Sequence, residues 1–265
     1  MQRLMIVLMT YLLIWPFQLQ AEEQPLFTLN SWLSTGQTKW SHDATSPGGL
    51  VGYPSSELDY KNLDSTVLEL NMGNRLASGH DLKLSFGSGF INSGLLVDDD
   101  YLSEAGATYF GATQTGAHRF SRTHSDISNS YLFYFSGKLY PGSQKISGDQ
   151  YSVRFNGSLQ YWYEEYVATG LTQIECTVFH PELSCYPAGT VAYTGTKVIT
   201  NSVQWFGVGI GLDADYFVSS KLSLNLDFTF YPLMSLYNED IHHLRTTGDG
   251  ALAQNPSISM QGIGT

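Results

Sequence analysis

Positive charge is what this 265-residue chain has least of: 13 Lys and Arg stand against 24 Asp and Glu, and charged residues make up 14% of the whole, where an average soluble domain has about 25%. So few cations exclude a nucleic-acid binder, and low charge combined with abundant aromatics excludes disorder and a coiled coil. Cysteines are scarce too, at two. Long apolar runs are missing beyond the N-terminus, so no later segment reaches the ~20 residues of a helical membrane span. What the chain does have is 17 Tyr, 14 Phe, 5 Trp and 26 Gly, with 42% hydrophobic residues, enough for a sizeable core or a sizeable lipid-facing belt.

Residues 1–21 carry one cation, Arg3, then the apolar run from Leu4 to Trp15, then Gln18-Leu19-Gln20-Ala21 before Glu22-Glu23. This is the layout of a secretory signal peptide; Trp15-Pro16 closes the run too early for a membrane anchor. Residues 22–265 then form one domain with 12 cations against 24 anions. In an oxidising compartment Cys176 and Cys185 pair most simply with each other, the alternative being two free thiols. A ring of that size stabilises by roughly 2.5 to 3 kcal/mol in the chain-entropy model.

Alternation with period two gives the architecture. Tyr151, Val153, Phe155, Gly157, Leu159, Tyr161 and Tyr163 are apolar or small, and Ser152, Arg154, Asn156, Ser158 and Gln160 fall between them. The pattern recurs at Leu82, Leu84 and Phe86, at Phe206, Val208, Ile210, Leu212 and Ala214, and at Leu222, Leu224, Leu226, Phe228 and Phe230. Helices need period 3.6, so these are strands. They are longer than the ~5 or 6 residues of a globular strand. Charges recur on their polar face: Glu57, Asp59, Lys61, Glu69, Arg154, Glu164, Asp213, Asp215 and Asp227. A membrane barrel turns such a face into a polar lumen; a secreted sandwich, the other reading, would hydrate it. Tyr60, Tyr101, Tyr140, Tyr163, Tyr216, Phe217 and Tyr231, near strand ends, suit interfacial girdles.

The predicted strands lie near 28–41, 56–76, 80–97, 125–140, 149–169, 197–217 and 221–236, joined by connections that alternate long and short. Outer-membrane barrels keep the long ones outside. This places Asp98-Asp99-Asp100 at the outer end of the third strand and Asp240-Ile241-His242 at the outer end of the seventh. The segment 256–265 allows only the start of an eighth strand, without the aromatic ending of a closing strand, so the chain is expected to lack closing strands. Asp240 and His242 share a face of an extended segment, where a carboxylate can orient an imidazole base. Asp98 and Asp100 likewise share a face and could hold a water. A Ca2+ site there is a lesser idea, without an EF-hand spacing.

At this point the sequence resembles a family. SSELDYKN (55–62), LLVDDDYL (95–102), THSDIS (123–128) and NEDIHH (238–243) look like segments of the omptins, outer-membrane endopeptidases built as ten-stranded barrels. The resemblance implies an all-β transmembrane antiparallel barrel that stops here near the eighth strand, in the bacterial outer membrane with its loops facing the exterior. It implies hydrolysis of peptide bonds by an activated water, with His242 as base, Asp240 orienting it, and Asp98 and Asp100 binding the water or its proton. No cofactor and no metal are called for. His124 and Asp126 match an element bordering the omptin cleft, with Ser125 where proline is usual. Trp40 and Asn238 stand where the family carries acidic pocket residues, so Trp40, Asn238 and His124 are the substrate-binding positions, and a preference for basic residues does not carry over. The partners implied are outer-membrane lipid and a peptide or protein substrate, with lipopolysaccharide a candidate despite the acidic Tyr163-Glu164-Glu165-Tyr166, and no nucleic acid. A non-catalytic barrel acting as adhesin or structural protein is the alternative; a porin is disfavoured because a barrel of about ten strands leaves little lumen.

Overall fold

The computed structural model describes residues 26–43, 47–112, 118–142, 145–148, 150–219, 222–244 and 257–264. The predicted signal segment 1–21 lies outside the described residues. Strands β1 (Leu26–His42), β2 (Val51–Arg75), β3 (Asp81–Leu102), β4 (Arg119–Ile127), β5 (Ser130–Tyr140), β6 (Lys145–Ser147), β7 (Tyr151–Cys176), β8 (Phe179–His180), β9 (Leu183–Ser184), β10 (Val191–Ser219), β11 (Leu222–His242) and β12 (Ser257–Gly264) are joined by one short helix, α1 (Glu104–Phe110). The large sheet runs β1-β2-β3-β4-β7-β10-β11-β12, all antiparallel, with β5 continuing β4 between β3 and β7. Its eight rows form the antiparallel wall of an outer-membrane-type barrel. Ser257–Gly264 is the eighth row, paired to β11. No described helix is long and apolar enough to cross a membrane.

Alternation sorts the two faces. Outward positions carry Leu29 (74% exposed), Leu33 (79%), Phe90 (71%), Leu224 (60%) and Leu233 (68%) among many others, a continuous apolar band far larger than a water-soluble surface tolerates. Inward positions are polar near the short turns, which we call the turn end. There Asp213 gathers Lys83 at 3.2 Å, Lys138 at 3.4 Å and the Tyr140 hydroxyl at 2.6 Å. Lys138 also bonds Asp227. Cations and anions thus neutralise one another inside the wall, where an unpaired charge would cost several kcal/mol. Midway, Trp162 stacks on Tyr134 at 5.0 Å, and Trp32 reaches the same tyrosine at 6.4 Å. Glycines make room for these rings: a Cβ on Gly87 would lie 1.9 Å from Tyr134 Cε1.

Three sequence expectations are corrected here. Tyr60, Tyr140 and Tyr231 are buried in the interior and belong to no girdle; Tyr163, Tyr216 and Phe217 do face outward. Glu57, Asp59 and Lys61 lie on the outward face beyond the apolar band, not in the lumen. The cause is a bulge at Asn62 (φ 52°), where β2 has one residue more than its neighbours between Tyr60 and Leu63 and the alternation changes sides. Finally, the strands run further toward the long connections, the loop end, than their apolar pattern does: β3 continues to Leu102, β7 to Cys176 and β11 to His242. Both faces there are polar, so the apolar signal vanishes while the hydrogen-bonded ladder persists.

Candidate active site

Above the apolar band the outer wall is ionic. Lys39 pairs with Glu57 at 3.0 Å, Tyr101 donates to Glu57 at 2.9 Å, and Arg122 grips both oxygens of Asp99 at 2.6 Å. Arg119 reaches Glu175 at 2.5 Å. Burial, the bond to Glu57 and the nearby Asp99 push the Tyr101 hydroxyl up to about 12. The second and third long connections pack on each other: α1, capped by Ser103, brings Phe110 against His180 of the β8–β9 hairpin, and Tyr109 donates to Glu182 at 3.2 Å. That hairpin sits inside the ring closed by the predicted Cys176–Cys185 disulfide, whose Cα atoms are 5.7 Å apart.

His124 belongs to this outer wall. It pairs across the ladder with Val97, beside Arg122 opposite Asp99, on the face away from the interior. Burial, then Arg122 and Lys61, hold its imidazole below the usual histidine range. Its expected place at the substrate cleft is therefore not what the structure gives, because β4 turns Ser121, Thr123, Ser125 and Ile127 inward and the even residues out. Asp126 shares the outward face. Asp99 turns outward too, so the acidic triplet does not converge on one point as a Ca2+ loop would. Among the described residues no group of three His, Cys, Asp or Glu is disposed to hold a metal ion.

The remaining candidates share the loop-end interior, and bulges put them there. On β3 the even residues Leu82, Leu84 and Phe86 are on the outward face; continued unbroken, that alternation would turn Asp98 and Asp100 outward as well. An extra residue at Asn92, between the pairs Ser65–Ile91 and Asp64–Ser93, reverses it. On β11, Pro232 is the extra residue between the pairs Ile210–Phe230 and Val208–Leu233, a position where proline's missing N–H costs no ladder bond. Beyond it Leu236, Asn238, Asp240 and His242 face inward. The spacing of each pair along its strand thus survives, and its direction is set by a local irregularity.

Asp240 is fully buried. Its Oδ1 accepts from Asn201 Nδ2 at 2.6 Å and from the Tyr60 hydroxyl at 3.4 Å. Its Oδ2 lies 2.9 Å from Nε2 of His42, without the alignment of a hydrogen bond. Tyr60 is also within electrostatic reach of Asp98, whose Oδ1 accepts from Ser56 at 3.0 Å. Through this phenol the β3 and β11 acids look into one space. Trp40 and Asn238 sit one inward step closer to the turn end than His42 and Asp240; Trp40 Nε1 and Asn238 Oδ1 are buried without a protein partner, and Asn238 donates to the Ser202 carbonyl at 3.2 Å. His242 pairs across the ladder with Ile199. Sequence reasoning missed His42, Tyr60 and Asn201. The first two lie at the inward alternation of β1 and β2, and only the long-range closure of the wall brings them to Asp240.

No protein-family model and no curated protein match the chain. Among solved structures, the crystal structure of the outer membrane protease OmpT from Escherichia coli aligns with a TM-score of 0.57 over 82% of this chain and 67% of that one, at 14% sequence identity. At that identity the likeness is one of fold, and the fold of this chain is omptin-like.

Proposed function

We propose that this protein is an outer-membrane barrel endopeptidase whose active site is the loop-end interior, with the apolar band in lipid and the long connections outside. The observation that supports the reading best is the Tyr60 bridge, which hydrogen-bonds Asp240 and senses Asp98. It joins two acid-bearing strand ends across the lumen, where one water can meet both. In this reading Asp98 and Asp100 hold a water, an imidazole beside Asp240 takes its proton as oxygen attacks the peptide carbonyl, and the same proton passes to the leaving amine as the C–N bond breaks. The resemblance gives the imidazole's post to His242. Trp40 and Asn238, with no charge between them, would line the adjoining pocket.

The test is cleavage of a peptide library by refolded protein, comparing wild type with Asp98→Asn and Asp100→Asn. Each variant is expected to lose at least about 100-fold in kcat with little change in KM, the range of a removed acid–base group. Unchanged turnover in both would refute the roles given to these acids. One observation favours the non-catalytic alternative: Asp240 already has Asn201, Tyr60 and His42 around it. On that reading the same library stays intact with wild-type protein.

A further inference from the structure

We infer that Asn201 is a positioning residue of this site: its side-chain amide fixes the Asp240 carboxylate so that one oxygen stays turned toward imidazole. This role presupposes the endopeptidase reading and adds to it the residue through which Asp240 is set. Asn201 and Asp240 stand opposite one another in the β10–β11 ladder, where directly paired side chains share a face with Cβ atoms ~5 Å apart. Both are wholly buried, and Asn201 Nδ2 donates to Asp240 Oδ1 at 2.6 Å. The Tyr60 hydroxyl reaches the same oxygen at 3.4 Å, so Asn201 makes the shorter and stronger bond. With Oδ1 held, Oδ2 is the oxygen left to face imidazole. His42 Nε2 lies 2.9 Å from it, and His242, the base in the proposed reading, is the next inward residue of β11.

Two features mark the amide as placed for the carboxylate. Asn201 Oδ1 is buried without a hydrogen-bond partner among the described residues, whereas a buried asparagine that serves the fold alone engages both ends. The donor is also neutral. An amide orients a carboxylate without cancelling its charge, as a Lys or Arg in that place would, and the charge is what stabilises an imidazolium formed beside it. The amide is itself held rigidly, because β10 is hydrogen-bonded on both sides and Asn201 pairs with Tyr166 of β7 as well as with Asp240. The Tyr166 ring lies 5.1 Å from that of Tyr60, and its hydroxyl donates to Glu164 at 2.6 Å. Asn201 and Tyr60 thus close off Oδ1, with Tyr166 packed behind Tyr60.

Cleavage of a peptide library by refolded protein tests this. Asn201→Leu, which keeps the bulk of the side chain and removes the donor, is expected to lower kcat about 10- to 100-fold with KM unchanged, the range of one lost hydrogen bond to a charged group. In an Asp240→Asn background the same substitution is expected to cost nothing further, because Asn201 acts through that carboxylate. Losses that multiply in the double variant, or full turnover in Asn201→Leu, overturn the positioning role. Should Asn201→Leu not refold, Asn201→Asp has the native shape without the amide donor and carries the same expectations. Independently of activity, the side-chain amide signals of Asn201 in 15N-labelled protein, identified as those lost in Asn201→Asp, are expected to shift in Asp240→Asn; signals that stay in place overturn the hydrogen bond itself. If wild type cleaves nothing while that shift is present, the endopeptidase reading fails and the Asn201–Asp240 bond stands.

Discussion

At the scale of single residues, the loop end separates two kinds of polar group by which way they point. Asp99 and Arg122 hold each other on the outer wall, while Asp98 and Asp100, one residue to either side, face the interior. Both arrangements are ordinary consequences of a pleated strand. His124, on the outer wall, offers a pH test. Its folded state favours the neutral imidazole, so the stability it contributes is present above the ordinary histidine value of ~6.5 and is lost as pH falls through its lowered folded value. An NMR titration should place its midpoint below 6.5, and His124→Gln should make unfolding less acid-sensitive across that window. A midpoint at or above 6.5 would mean that burial and the repulsion from Arg122 and Lys61 do not disfavour the charged imidazole.

At the scale of elements, the bulges at Asn62, Asn92 and Pro232 matter most, because each exchanges the two faces of its strand between the apolar band and the site. The existence of the strands, their order and the disulfide were legible in the sequence, since alternation of leucines and phenylalanines over ten residues has no helical reading. The direction of Asp98 and Asp240 was not legible: a one-residue bulge leaves the local spacing intact and shows only in the register with a neighbour. Pro232 between Tyr231 and Leu233 was the one visible hint. His42 was illegible for a related reason, since the carboxylate it approaches belongs to a residue 198 positions away that the curvature of the sheet brings near. The rings inside the wall depend on β3 in the same way. Gly87→Ala would drive a methyl into the Tyr134 ring and unseat its stack on Trp162. Overpacking of this kind costs about 2 kcal/mol, so gel mobility after heating should show unfolding at a lower temperature. An unaltered transition would mean that the tyrosine has room to move aside.

At the scale of the whole molecule, the distribution of tryptophan is informative. Trp32, Trp40, Trp162 and Trp205 all pack against the interior core, whereas membrane proteins commonly place tryptophan at the lipid interface. In vesicles with brominated acyl chains, tryptophan fluorescence should therefore be quenched weakly, although outward Leu, Phe and Tyr contact the lipid. Strong quenching would place these indoles on the outside and invert the wall. Asp240, fully buried in the loop-end interior, is where the proposed activity is tested most directly. Refolded full-length protein should cleave peptides from a broad library, and Asp240→Asn, folded to the same heat-resistant form, should cleave them at least 100-fold more slowly. Equal cleavage by the two proteins would contradict the account, because it would leave the most deeply buried acid of the loop-end interior without a part in the reaction.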